Sequence, residues 1–206
     1  ASGLLMSGFA LLVASLGMAN PQITPLVPVL RSPWLSLHVS LIMVSYALLG
    51  LLMLNGTAAL ALAAAARAGT AERTSRTLAR LLLYPAVFLL TAGIFTGAVW
   101  ANASWGRYWG WDPKEVWALI TLIVYALPLH EQSLARFRRP LFFHAYTLWA
   151  FAAVLMTYFG VNYFLGGMHS YGGGFRSGYA AATVAAVTAF ALLTVAALIR
   201  QRRMDT

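Results

Sequence analysis

Long apolar segments alternate with short polar connections along the chain. Six apolar segments are long enough to cross a bilayer at ~1.5 Å per residue, and they lie at about residues 3–19, 36–65, 81–101, 113–130, 141–164 and 179–199. A helix of a water-soluble bundle would carry polar residues along one face, and a stretch such as AVFLLTAGIFTGAVW has almost none. The pattern predicts an all-α, polytopic membrane helix bundle of about six transmembrane helices.

The first two segments differ from a standard membrane span in their length or in the residues that flank them. The second segment is too long for ~30 Å of hydrocarbon, so we expect it to tilt, to protrude or to break near Asn55 and Gly56. The first segment lacks the basic leader of a cleavable signal, and the chain begins at Ala1 rather than Met. We expect a single transmembrane domain over residues 1–206, and whether it is a fragment of a longer chain or was split from one stays open.

Composition supports a membrane location and limits the chemistry. Hydrophobic residues make up 61% of the 206 positions and charged residues 9%, with a mean hydropathy of +0.75. The net charge of +9 would suggest nucleic acid binding in a water-soluble protein, but basic residues of a membrane protein mainly report orientation, so no nucleic acid partner is expected. The chain has no cysteine, so any thiol chemistry must come from a partner.

Basic residues divide the connections into two alternating sets. One set holds ten arginines: Arg67, Arg73, Arg76, Arg80, Arg136, Arg138, Arg139, Arg200, Arg202 and Arg203. The other set holds only Arg31, Arg107, Lys114 and Arg176. Because basic connections stay in the cytoplasm, residues 20–34, 103–112 and 165–178 are predicted to face outward. The expected location is a bacterial inner membrane or a thylakoid-like membrane, with the tryptophan-rich loop on the outer, periplasmic side.

Residues 103–112 are predicted to form a tryptophan-rich outer loop. The segment WGRYWGWDPKEVW, residues 105–117, holds four of the seven tryptophans and ends in a helix start. Asp112 suits a cap, Pro113 a first turn, and Glu115 the third position of a capping box.

That helix start leaves Trp105, Trp109 and Trp111 unexplained. An interfacial aromatic belt would spread over many helix ends, whereas these rings are concentrated in one loop, with Gly106 and Gly110 between them. The cluster therefore favours a flat platform for a large planar apolar ligand.

The predicted topology sorts the four histidines. His38 and His169 lie at the outer side, on either side of the tryptophan-rich loop, while His130 and His144 lie at the inner side. Opposed imidazoles are the usual axial ligands of a six-coordinate haem, and the chain offers no cysteine or nearby carboxylate pair to complete a zinc shell. We interpret His144 as an ordinary solvated or hydrogen-bonded residue and expect it to be dispensable.

Four stretches together resemble a known family: SPWLSLHVSLIMVSYALL, GIFTGAVWANASWG, WGRYWGWDPKEVWALITLIVYALPLH and YFGVNYFLGGMHSYG. They are similar to the tryptophan-rich (WWD) haem-handling family, specifically the CcsA (ResC) type of cytochrome c biogenesis system II. The resemblance runs from about residue 33 to about residue 172. Its motifs occur in order, which makes it far more specific than a single tryptophan box.

The resemblance implies a haem site and its partners. Haem of the b type, in transit, would lie against Trp105, Gly106, Tyr108, Trp109, Trp111 and Asp112, with iron held by His38 and His169. His130 would belong to an inner haem site on the export route. Together with a CcsB-type membrane partner, such a protein joins haem vinyl groups to the CXXCH thiols of apocytochrome c. The chain would then be a subunit of a holocytochrome c synthase (haem lyase) with no catalytic residue of its own.

Three other functions stay open at this point. A haem-delivery component of the parallel, CcmC-like route would share the tryptophan motif, although VNYFLGGMHSYG argues against it. A membrane b-type electron-transfer cytochrome would place histidine pairs within facing spans, and here they lie at span ends. A transporter or structural subunit with an aromatic vestibule would be colourless when purified.

Overall fold

The computed structural model describes residues 31–65, 69–168 and 179–204, and within these ranges the chain is helical and has no strand. The helices are α1 (Pro33–Ala64), α2 (Gly69–Trp105), α3 (Pro113–Ala126), α4 (Pro140–Leu155), α5 (Val161–Phe164) and α6 (Tyr179–Met204). A 3₁₀ turn, Leu127–His130, extends α3, and a second, Ala135–Arg138, precedes α4. A π-helical turn, Met156–Gly160, joins α4 to α5.

Hydrogen bonds between α1 and α2 show that these two helices are antiparallel. His38 contacts Gly93, Ser45 donates to Ala86 O at 2.8 Å, and Asn55 donates to Ser75 O at 3.0 Å, so positions rise along α1 as they fall along α2. The end of the bundle that holds residues 105–112 is here called the tryptophan end. The opposite end, which holds Arg76, Glu131 and the 3₁₀ turn Ala135–Arg138, is called the arginine end.

The prediction of an all-α membrane bundle is confirmed. Within the described ranges, four helical stretches are long and apolar enough to cross a membrane: Pro33–Ala64, Arg73–Trp105, Pro140–Phe164 and Thr183–Arg200. Helix α3 with its 3₁₀ turn covers the fourth predicted segment. The first, residues 3–19, lies outside the described residues, so the count of six stays a prediction.

Helix α1 is continuous, which excludes the predicted alternative of a break near Asn55 and Gly56. Its 32 residues extend ~48 Å at ~1.5 Å per residue, so tilting or protrusion must accommodate the excess length. Both residues have packing roles instead. Asn55 pairs with Ser75 on α2, and a Cβ at position 56 would lie 2.8 Å from the backbone oxygen of His144. Gly56 thus allows α4 to approach closely.

Helix α2 begins at Gly69, so the prediction that Arg73, Arg76 and Arg80 lie in a loop before residue 81 is wrong. Hydropathy identifies only the apolar part of a helix, whereas backbone hydrogen bonding continues past the hydrocarbon edge wherever the residues allow it. Pro85 lies inside α2 without ending it. Membrane helices tolerate such prolines because neighbouring groups satisfy the freed carbonyl.

The core forms where α1, α2, α3 and α4 meet. Its fully buried members include Leu49, Leu52, Leu83, Ala86, Tyr125, Phe137, Phe143 and Val154. At the arginine end, Arg76 extends this core with polar contacts. Its guanidinium binds Glu131, donates to Phe137 O at 2.6 Å and lies 3.7 Å from the ring centroid of Phe143. Arg76 thus joins α2 to the segments that hold Glu131, Phe137 and Phe143.

Candidate functional site

His38 lies on α1 near the tryptophan end, and a backbone contact orients its ring. Nδ1 lies 2.7 Å from the carbonyl oxygen of Gly93 on α2. Because a carbonyl only accepts hydrogen bonds, Nδ1 carries the proton and donates it, which leaves the lone pair on Nε2. Histidines that bind metals are typically oriented in this way, by a hydrogen bond from the ring nitrogen that does not bind the metal.

Gly97 makes room for this imidazole. A Cβ at position 97 would lie 2.7 Å from both Cε1 and Nδ1 of His38, closer than real Cβ contacts allow. Gly93 and Gly97 are four residues apart and so lie on one face of α2. Small residues at this spacing are typical of close helix approach in membranes. The stretch GIFTGAVW therefore supplies both the acceptor and the space for His38.

A cavity of about 240 Å³ opens beside His38. Its walls come from α1, α2, the loop after α2, the start of α3 and the π-helical turn, and they are mainly apolar and aromatic. Lining residues that bear on the chemistry are His38, Tyr46, Trp100, Tyr108, Trp109, Lys114, Glu115, Thr157 and Tyr158. The volume is close to the lower limit, ~300 Å³, of typical small-molecule sites. A large planar ligand would therefore be enclosed only along part of its surface.

The loop at this end is shorter than predicted. Helix α2 continues to Trp105, and Gly106 then adopts a φ of +71° while its N–H donates to Asn102 O at 2.8 Å. A left-handed glycine is a common end of a helix. The predicted loop of residues 103–112 is thus wrong at its start, and residues 106–112 form what is called the tryptophan loop from here on.

The three predicted platform tryptophans do not share one plane, so the flat platform is wrong. Trp105 lies on α2 and packs edge-on against Trp100, with ring centroids 4.8 Å apart. Trp109 and Trp111 meet at 88° with centroids 5.9 Å apart, and Trp111 is 71% exposed. Edge-to-face contact is a preferred arrangement of paired rings. Of the three, only Trp109 lines the cavity.

Asp112 forms the predicted capping box and is buried. Its carboxylate accepts from Lys114 N at 3.2 Å, and Glu115 Oε2 accepts from Asp112 N at 3.1 Å. Its Oδ1 also accepts from Met168 N at 2.6 Å. These bonds turn Asp112 toward backbone donors, and it is not among the residues that line the cavity. Its contribution to a site is to join the tryptophan loop to the residue before His169.

The structure brings some predicted residues together and separates others. His38, Tyr108 and Trp109 meet at the cavity, while Trp105, Gly106 and Trp111 lie beside it without lining it. His169 lies outside the described residues, so its pairing with His38 stays a prediction.

The cavity residues that sequence reasoning missed include Tyr46, Trp100, Thr157 and Tyr158. The π-helical turn places Thr157 where its hydroxyl lies 2.9 Å from Thr121 Oγ1 and 3.1 Å from Trp117 O. Such turns are frequent at functional sites, but no sequence pattern predicts them. Trp100 had a signal, because it lies within a stretch used for the family resemblance.

The two remaining histidines lie away from this cavity. His130 ends the 3₁₀ turn after α3 and is exposed, and its Nδ1 donates to Ala126 O at 3.0 Å. As with His38, this donation places the lone pair on Nε2. His144 is 2% exposed, and neither ring nitrogen has a hydrogen-bond partner among the described residues. The interpretation of His144 as solvated or hydrogen-bonded is therefore wrong, because close packing of α4 against α1 buries the ring.

Comparison with known proteins gives consistent matches. The profile of the family described as "Cytochrome C assembly protein" matches residues 1–169. Protein NrfI of Wolinella succinogenes is 43% identical over 178 residues, which are 84% of this chain and 20% of that protein. The cytochrome c biogenesis protein CcsA of Chlamydomonas reinhardtii is 40% identical over 177 residues, 82% of this chain and 48% of that protein. CcsA of Prochlorococcus marinus is 37% identical over 71% of this chain and 56% of that protein.

Proposed function

The chain belongs to the cytochrome c assembly protein family, and on this premise we propose that it acts in cytochrome c biogenesis by binding haem at the tryptophan end. It spans 20% of the NrfI relative and about half of the CcsA relatives. The proposed activity is to present haem on the outer face of the membrane for covalent attachment to apocytochrome c.

The observation that carries this proposal is the orientation of His38. Its Nδ1 donates to Gly93 O, its Nε2 holds a lone pair, and the ring borders a cavity with aromatic walls at Trp100 and Trp109. An imidazole held in this way suits axial ligation of haem iron, and aromatic side chains provide apolar contact for a porphyrin. His169 supplies the second axial ligand in this proposal, and Met168, the residue before it, is bonded to Asp112.

The protein contributes position rather than a nucleophile. Two imidazole ligands would leave no open iron position for oxygen, so haem stays protected until the substrate arrives. The thiols of the apocytochrome add to the vinyl groups, since this chain has no cysteine. The histidine of the CXXCH motif then replaces one axial ligand and helps the product to leave. The rate gain comes mainly from proximity and orientation.

Delivery of haem to this site uses a second site at the arginine end. His130 binds haem of the b type there, and the haem passes to the outer cavity with a CcsB-type membrane protein as partner. Support comes from the donation of His130 Nδ1 to Ala126 O, which prepares Nε2 as it does in His38. The ten arginines support a cytoplasmic arginine end and an outward-facing tryptophan loop.

Replacement of His38 by Gly, with imidazole rescue, tests the proposal. The variant removes an iron ligand and leaves a space of imidazole size, while Trp100 and Trp109 still contact the porphyrin. We expect copurifying haem to decrease but not disappear, and added imidazole to restore the six-coordinate reduced spectrum and thioether formation. Ser36→Gly is the matched control. It makes the same kind of change on α1 at an exposed residue that does not line the cavity.

Each other outcome points to a specific error. An unaltered six-coordinate spectrum in His38→Gly without imidazole would mean that His38 is not a ligand. Colourless wild-type protein would indicate a non-haem function. Haem bound through His38 without any thioether formation in the presence of the partner would favour the haem-delivery role over synthesis.

A further inference from the structure

Lys114 is the only lysine or arginine among the described residues that line the cavity. It lies in the first turn of α3, directly after the tryptophan loop, and is partly buried. Partly buried charges are expensive unless they meet a partner. Helix starts also favour acidic rather than basic residues, so the position on α3 does not by itself explain a cation there.

A specific contact directs the ammonium group. Lys114 Nζ donates to Asn162 Oδ1 at 3.0 Å, and Asn162 Nδ2 donates to Tyr158 O at 2.7 Å. The second bond fixes the amide so that its oxygen faces Lys114. Because Asn162 lies on α5 and Tyr158 on the π-helical turn, the lysine connects the far wall of the cavity to α3.

The two acidic side chains near Lys114 are held by backbone groups. Glu115 Oε2 accepts from Gly110 N at 2.8 Å and from Asp112 N, while the oxygens of Asp112 accept from Lys114 N and Met168 N. These contacts fold the loop, and Asp112 also acts on Lys114 electrostatically. Lysine keeps a flexible stem and three N–H donors, so it can meet a ligand carboxylate while it remains near Asn162.

We propose that Lys114, positioned by Asn162, recognises a carboxylate of the haem propionates. This rests on the proposed haem binding beside His38 and adds how the haem is oriented in the cavity. Haem carries two propionates on one edge. A charge-assisted contact with Lys114 turns that edge toward α3 and the opposite edge of the ring away from α3. A contact of this kind is stronger in a partly desolvated cavity than in water.

A comparison of two ligands in the detergent-purified chain tests this proposal. Haemin carries free propionates, and haemin dimethyl ester carries the same ring without the charges. Titrations followed in the Soret band should give wild-type protein a roughly tenfold preference for haemin. Lys114→Met should lose that preference by weakening haemin binding alone, and Lys114→Arg should retain most of it. Arg107→Met is the matched control, because Arg107 is exposed in the neighbouring tryptophan loop and does not line the cavity.

The outcomes separate this inference from the function on which it rests. An equal loss of haemin and ester binding in Lys114→Met would give the lysine a structural role only. No preference for haemin in the wild type would also overturn the inference. In both cases a spectrum that still responds to His38→Gly leaves the haem site in place. If the spectrum does not respond to His38→Gly, the site itself is wrong, and the role of Lys114 is overturned with it.

Discussion

The two ends of the bundle use polar residues in different ways. At the tryptophan end, hydrogen bonds with backbone groups hold His38 beside a cavity and Asp112 in the adjoining loop, and Lys114 lines the cavity. At the arginine end, Arg76 and Arg80 share Glu131, and Arg76 also lies over Phe143 in the core. Polar groups around an opening can serve a ligand, whereas polar groups that satisfy one another serve the fold.

The difference also changes how the basic residues should be counted. The positive-inside rule treats Arg76 and Arg80 as equal reporters of orientation. In the structure the side chain of Arg76 is 12% exposed and that of Arg80 is 50% exposed. Arg76 therefore contributes to stability as well as orientation, and four pairs of substitutions test how far the two ends differ.

The largest expected effect is the loss of stability in Arg76→Met. The substitution removes the contacts with Glu131, Phe137 O and the Phe143 ring, and it should lower the free energy of unfolding by roughly 2–4 kcal/mol. Arg80→Met, the matched control, removes a half-exposed ion pair and should cost below about 1 kcal/mol. Denaturant unfolding in detergent measures both. Equal losses would contradict the distinction between the two arginines.

At the tryptophan end, Gly97→Ala should affect haem more than the fold. The new Cβ would displace the His38 imidazole, and loss of a ligand's orientation typically weakens metal binding by roughly 10- to 100-fold. Gly166→Ala is the control, because the same change there meets nothing within 4 Å. Haem content per purified protein should be low in the first variant and close to wild type in the second. The reverse order would mean that the space beside His38 is unimportant.

Two adjacent glycines test the connection between the tryptophan loop and the segment before His169. A Cβ at Gly167 would clash with Asp112 Oδ1, whereas a Cβ at Gly166 would meet nothing within 4 Å. Gly167→Ala should disturb the bond from Met168 N to Asp112, with a cost of roughly 1–3 kcal/mol, and Gly166→Ala should be nearly neutral. Unfolding in detergent measures the cost, and thioether formation with the partner measures the functional effect. Identical behaviour of the two variants would argue against the connection.

Sequence patterns predicted the fold well because membrane helices require long apolar segments. The positions of α1, α4 and α6 follow the predicted segments closely. The start of α2 does not follow its predicted segment, because its first turns are polar and hydropathy cannot distinguish a polar helix from a polar loop. The continuity of α1 through Gly56 depends on tertiary contacts that a local pattern does not contain.

The candidate site was predicted only in part for a related reason. Residue type and position indicated His38, Tyr108 and Trp109, which line the cavity. Ring orientation and the π-helical turn depend on packing between helices, so no residue pattern could exclude a flat platform or indicate Thr157. His144 was predicted to reach water or a hydrogen-bond partner because it lies near a helix start, whereas its side chain is buried.

The smallest expected effect compares His144 with His130. His144 is buried without a hydrogen-bond partner among the described residues, and an unpartnered polar group in a dry core is unfavourable. His144→Leu keeps a side chain of similar size and removes that cost, so it should raise the free energy of unfolding by about 1 kcal/mol and leave haem content unchanged. His130→Leu changes an exposed residue and should leave stability nearly unchanged, but it should lower the haem that copurifies, since His130 is the proposed ligand at the arginine end. Each variant is therefore expected to change one of the two measurements and to leave the other nearly unchanged. If His144→Leu lowers haem content while stability is retained or raised, the buried imidazole serves the haem route, and the arginine end would resemble the tryptophan end more than its packing suggests.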